Sequence, residues 1–102
     1  MQIDFNILMT YGAVACKVNK GELVFSEGTT PVHYYQVVEG CIKVFTSNNK
    51  GKEFIQGIFS DGQSFGEPPL LINKLYPSSA QATMARVIIK ISRKKLIDIF
   101  NA

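Results

Sequence analysis

Between Phe65 and Ala80 the chain gathers residue types suited to holding a phosphate and a sugar. Phe65-Gly66-Glu67 leads into Pro68-Pro69, and a glycine followed by a short helix start exposes backbone N–H groups that favour an anion. Glu67 sits beside those donors as an acceptor-only carboxylate, the partner a sugar hydroxyl needs. Downstream, Ser78 and Ser79 offer hydroxyls at the mouth of the next strand. Together these groups would grip a phosphate-sugar ligand in a pocket at the end of a barrel. The same letters also read as a plain helix start followed by a plain loop, and the local pattern alone leaves both open.

Other chemistries lack their residues. The single histidine, His33, cannot supply the three or four protein ligands of a zinc site or the ligand cluster of a metal-binding cupin-type barrel. Cys16 and Cys41 fall short of the four thiolates an iron–sulfur cluster requires, and both read as buried reduced thiols within strands. No acid–base histidine accompanies Cys16, Cys41 or Ser79 in a nucleophilic motif, so a non-enzymatic role is expected.

The elements that must position the candidate residues are mostly short strands. Ile3, Ile7, Leu8 and Tyr11 have helical spacing, closed by Gly12, within an N-terminal helical region over 1–12. The period then changes to two, with Val14, Cys16 and Val18 on one face. Strands follow at 22–25, 34–38, 41–46 and 54–59, punctuated by Asn19-Lys20-Gly21, Gly28 to Pro31, Glu39-Gly40 and Asn48-Asn49-Lys50-Gly51. Asp61-Gly62 turns again. Two prolines exclude 65–73 from a central strand and place one helical turn over 69–72. Strands resume from Ala80 and again at Val87, Ile89 and Ile91. Ser92 N-caps a closing helix over 93–102, with Leu96, Ile97, Ile99 and Phe100 on one face.

About eight strands in 102 residues make one domain, a mainly β jelly roll or barrel over 13–92 with short flanking helices. Hydrophobic residues are 46% and charged residues 19%, the balance of a soluble globular domain. Lys43 and Lys90 interrupt the longest apolar runs, which fall short of the ~18 residues of a membrane span. With no secretory signal at the start, the expected location is the cytoplasm. The net charge of +3 rests partly on Arg93-Lys94-Lys95, read as a solvated face without nucleic-acid contact.

The ordered series Lys20-Gly21-Glu22, Glu27-Gly28, Val38-Glu39-Gly40-Cys41-Ile42-Lys43-Val44, Gly51-Lys52, Asp61-Gly62, Phe65-Gly66-Glu67 and Ser79-Ala80 resembles the cyclic-nucleotide-binding domain. Within that superfamily the chain is similar to the sensor domains of catabolite-activator and fumarate–nitrate type bacterial transcription regulators, from about Gly12 to Phe100. The resemblance makes 65–80 a phosphate-binding cassette. It implies that Gly66 gives a backbone contact near the phosphate or ribose, and that Glu67 accepts from the ribose 2′-hydroxyl. Ser79 and the amide of Ala80 would then contact the phosphate.

One departure concerns the ligand. Family members that bind cyclic AMP or GMP usually carry an arginine just before that Ser/Thr, where this chain has Ser78. No arginine lies between Glu67 and Arg86, and Lys74 is expected to be solvated. Losing the charge-assisted guanidinium pair costs about 2–3 kcal/mol, or roughly 30- to 150-fold in affinity. The resemblance thus implies a small-molecule effector and a sensor whose grip on cyclic nucleotides is weak. The regulators it resembles continue into a dimerisation helix and a helix-turn-helix domain. The sequence stops at Ala102, which leaves a sensor attached to a DNA-binding domain or a free-standing chain acting through a partner or as a homodimer. The alternative is a domain that has lost its ligand and works as an interaction platform.

Overall fold

The computed structural model describes residues 2–102. Helix α1 (Phe5–Thr10) begins at Asp4, whose side chain accepts from the Asn6 and Ile7 amides at 2.9 and 3.2 Å. Eight strands follow: β1 (Val14–Val18), β2 (Leu23–Phe25), β3 (His33–Glu39), β4 (Cys41–Ser47), β5 (Glu53–Ser60), β6 (Ser64–Phe65), β7 (Ser79–Ala82) and β8 (Arg86–Ser92). Helix α2 (Glu67–Leu71) separates β6 from β7, and α3 (Arg93–Phe100) follows β8. Ser92 caps α3 by accepting from the Lys95 amide at 3.3 Å.

The strands form two four-stranded sheets, β1-β8-β3-β6 and β2-β7-β4-β5, with every strand pair antiparallel. The jelly-roll expectation holds, although the sheets face each other and do not close into one hydrogen-bonded barrel. Between them lies a core of Val18, Phe25, Val37, Ile42, Phe65, Tyr76, Ala80, Ala82 and Ile88. A second core of Leu8, Ala13, Tyr34, Leu70, Ile89, Ile91 and Leu96 brings all three helices together over β3 and β8. Alternate residues of those two strands enter opposite cores: Ile88 enters one, Ile89 and Ile91 the other. Strands with two buried faces read as nearly continuous apolar runs, which is how β3 and β8 appear in the sequence.

Some boundaries differ from the sequence reading. The cassette helix spans 67–71 and not 69–72, and Phe65 closes a two-residue strand, too short to leave a periodic signal. Cys16 and Cys41 are free thiols but only half-buried. Phe100 stands 49% exposed, so Leu96 is the residue that anchors α3. Arg93 also leaves the expected solvated face, because its Nε donates to the Leu70 carbonyl at 3.1 Å. The residues of 1–12 outside 5–10 are not helical where described.

Burial pushes the Tyr34 phenol up to about 12 from its ordinary 10.0, and burial raises Tyr35 and Tyr76 as well. A raised phenol pKa means that folding favours the neutral ring. That stabilisation is complete below about pH 10 and disappears as the pH climbs toward about 12. Phenolate absorbance and circular dichroism should therefore change together over this window. Tyr34→Phe should make the alkaline transition shallower.

Candidate functional site

The cassette is held by its two ends. At its start, Gly66 adopts a left-handed conformation (φ 77°) as the N-cap of α2. A Cβ there would lie 2.7 Å from Phe25 Cε2, so the position needs glycine for both conformation and space. At its exit, Asn73 is left-handed (φ 55°) and the Lys74 amide returns to the Pro69 carbonyl at 3.0 Å, a Schellman-like closure. The chain then pairs with the loop after β2: the Gly28 amide donates to Tyr76 O at 2.8 Å, and the Tyr76 amide to Thr29 O at 3.0 Å.

These bonds drive the Tyr76 ring inward, where it lies flat on Phe25 with centroids 3.7 Å apart and planes 4° from parallel. Phe25 packs on Phe65 in turn. The Tyr76 hydroxyl is sealed from solvent and has no hydrogen-bond partner among the described residues. An unmet buried hydroxyl costs about 1–3 kcal/mol. Tyr76→Phe is accordingly expected to stabilise the fold by about 1 kcal/mol, raising Tm by about 4–8 °C in a domain of this size. Unchanged or lower Tm would show that the hydroxyl has a partner.

Beside this ring pair opens a hollow of about 410 Å³. Phe25, Val44 and Phe59 line its sheet side, and Pro68, Pro69 and Ile72 line its helix side. Exposed Lys74, Leu75 and Pro77 form its edge, and Gly66 with the buried Tyr76 and Ser78 completes the lining. The lining is mainly apolar, and Lys74 is its single charged residue. A second hollow of about 310 Å³, bounded by Gln2, Phe59, Gln63, Ser64 and Glu67, adjoins it across Phe59.

The six residues picked from the sequence therefore occupy different settings. Gly66 and Ser78 line the larger hollow, and Glu67 lines its neighbour. The Ser79 hydroxyl oxygen accepts from the Glu27 amide at 2.9 Å, bracing β2 against β7. Ala80 is fully buried opposite Val44, and Phe65 is buried in the aromatic core. The wall formed by Phe25, Ile72, Leu75 and Tyr76 went unpredicted. Its signal was the apolar triplet Leu71-Ile72 and Leu75 around a charged turn, too much grease for a solvent loop.

The start of α2 also differs chemically from the expectation. With the helix beginning at Glu67, Pro68 and Pro69 fall in its first turn. Proline has no N–H, so two donors that a helix start would turn toward an anion do not exist here. Among the described residues no cluster of His, Cys, Asp or Glu is arranged to hold a metal, and no helix is long and apolar enough to cross a membrane.

Residues 15–102 match the family model of the cyclic nucleotide-binding domain. Comparison with curated proteins gave no match. Among solved structures, the catabolite activator protein of Thermus thermophilus superposes with a TM-score of 0.84 at 21% identity, covering 94% of this chain and 45% of that one. The sensor domain of the transcriptional regulator DNR from Pseudomonas aeruginosa gives 0.80 at 22%, covering 88% and 61%. A cyclic nucleotide-binding-like protein from Brucella abortus gives 0.78 at 25%, covering 93% and 81%. The chain thus spans about half the length of the full catabolite activator.

Proposed function

The chain belongs to the cyclic nucleotide-binding domain family, and from that premise we propose that it is a regulatory sensor whose cassette hollow takes a small effector but grips cyclic AMP and GMP weakly. Its relatives include regulators of the catabolite-activator and fumarate–nitrate type, and the chain has a non-catalytic role like theirs. It acts in the cytoplasm, passing its signal to an attached DNA-binding domain or a second copy, without touching nucleic acid or membrane itself. The weak grip follows from Ser78 standing where a guanidinium would bind phosphate, and from the missing N–H groups of Pro68 and Pro69.

The observation that carries the sensor reading is the tie between α2 and α3. Leu70 and Leu96 share one buried cluster with Leu8, and Arg93 donates to the Leu70 carbonyl at 3.1 Å. A ligand that moves α2 must then strain or shift α3, which is how occupancy biases a two-state element. Amide spectra recorded with millimolar cyclic AMP should shift signals in 65–80 and in α3 together. In Arg93→Gln the α3 response should shrink while the cassette response persists. Cassette shifts with a silent α3 in the unaltered chain would sink the reading.

A second reading, an interaction platform without ligand, is favoured by exposed Phe54, Ile55 and Ile58 on edge strand β5 and by Phe100 on α3. Sedimentation separates the two, since a platform that joins copies of itself would give a dimer lost on Ile58→Lys.

A further inference from the structure

We propose, building on the sensor reading, that the cassette hollow is shaped for a flat, mostly apolar molecule bearing one carboxylate, such as an aromatic acid, in place of a cyclic nucleotide. A volume of about 410 Å³ lies within the range of small-molecule sites. A nucleotide needs polar partners for a base edge, a ribose and a phosphate. This lining offers two polar side chains, the exposed Lys74 ammonium and the buried Ser78 hydroxyl, while the Tyr76 phenol is sealed away. The rest is ring and aliphatic surface, which rewards a planar apolar body.

Two details point to a ligand of this chemistry. Ile72 and Leu75 stand 62% and 58% exposed at the rim, apolar surface left in water that a bound ring would cover. Tyr76 is only 4% exposed and its ring lies flat on Phe25, so the wall behind them is a fixed aromatic surface for a planar body. Lys74 makes no ion pair among the described residues, and its backbone is fixed by the closure onto Pro69. It supplies one positive charge on a rim that is otherwise uncharged. One anionic group on an apolar body is the complement.

The test is a titration of the whole chain with 2-naphthoate, its uncharged methyl ester, and cyclic AMP, followed by calorimetry and amide spectra. Naphthoate should bind with one-to-one stoichiometry and shift signals of Ile72, Lys74, Leu75 and Tyr76. It should bind roughly 3- to 10-fold tighter than the ester, the range of a partly solvated charge pair. Lys74→Gln should erase that difference, and Ile72→Glu should abolish binding of both. Both substitutions fall at exposed positions, and an unchanged Tm will confirm that each variant is folded. Equal affinity for acid and ester, indifference to Lys74→Gln, or no naphthoate binding would each overturn the ligand class. If cyclic AMP then moved α3 while naphthoate did nothing, the sensor reading would survive alone. Naphthoate binding with an unresponsive α3 would keep the ligand class and remove the sensor reading.

Discussion

Replacing Leu96 with alanine is expected to lower the unfolding free energy by about 2–5 kcal/mol, the cost of emptying a leucine site in a tight core. Leu96 is fully buried, and it meets Leu8 of α1 and Leu70 of α2 in the cluster above β3 and β8. Backbone relaxation offers little relief, because the three helices rest on the same pair of strands. In a domain of this length the loss should appear as a Tm drop of roughly 10–30 °C. Phe100→Ala, one turn further on and half-exposed, should cost less than about 1 kcal/mol. Similar losses at the two positions would mean that α3 is not seated through Leu96, and the route from cassette to closing helix would go with it.

Gly66→Ala should be nearly as damaging, for different reasons. The left-handed backbone (φ 77°) costs a side chain about 1–2 kcal/mol. The new methyl would also stand 2.7 Å from Phe25 Cε2, and Phe25 cannot retreat freely because Tyr76 lies flat on it. Overpacking of that kind adds about 1–3 kcal/mol. Gly28→Ala gives the control, since Gly28 is also left-handed (φ 84°) but has open space where its Cβ would go. Urea unfolding of the two variants should show Gly66→Ala costing more by the packing contribution alone. Equal costs would place the aromatic pair away from Gly66.

Much of this architecture can be read from the chain because its turns are chemically explicit. Asn48 to Gly51 marks the β4–β5 hairpin and Asp61-Gly62 the turn that carries the chain from one sheet to the other, both by glycines at positive φ, and Ser92 marks the start of α3 by its hydroxyl. The two-core arrangement left a weaker trace: alternation fails in β3 and β8 because both faces are buried, so a strand with apolar neighbours gives no hint of which core each residue enters. The segment 65–80 stands out in the sequence by its glycine and prolines, but how its side chains are placed does not. With the helix starting two residues earlier, Pro68 joins Pro69 among the donor positions, and Glu67 lines the hollow next to the one that Gly66 and Ser78 line. Tyr76 looked like a loop residue because nothing local records its stacking on Phe25, 51 positions earlier in the chain. The Arg93 bond to Leu70 was hidden for the same reason, since a basic triplet at a helix start carries no sign of a carbonyl that waits across the fold.

The most direct measurement is calorimetric titration of the chain with cyclic AMP and cyclic GMP, alongside Ser78→Arg. Weak binding by the unaltered chain is expected, with a gain of roughly 30- to 150-fold once a guanidinium lines the hollow. Micromolar binding by the unaltered chain would contradict the reading of the cassette as one stripped of its phosphate-binding groups. Silence from both chains would turn the weight toward the interaction platform.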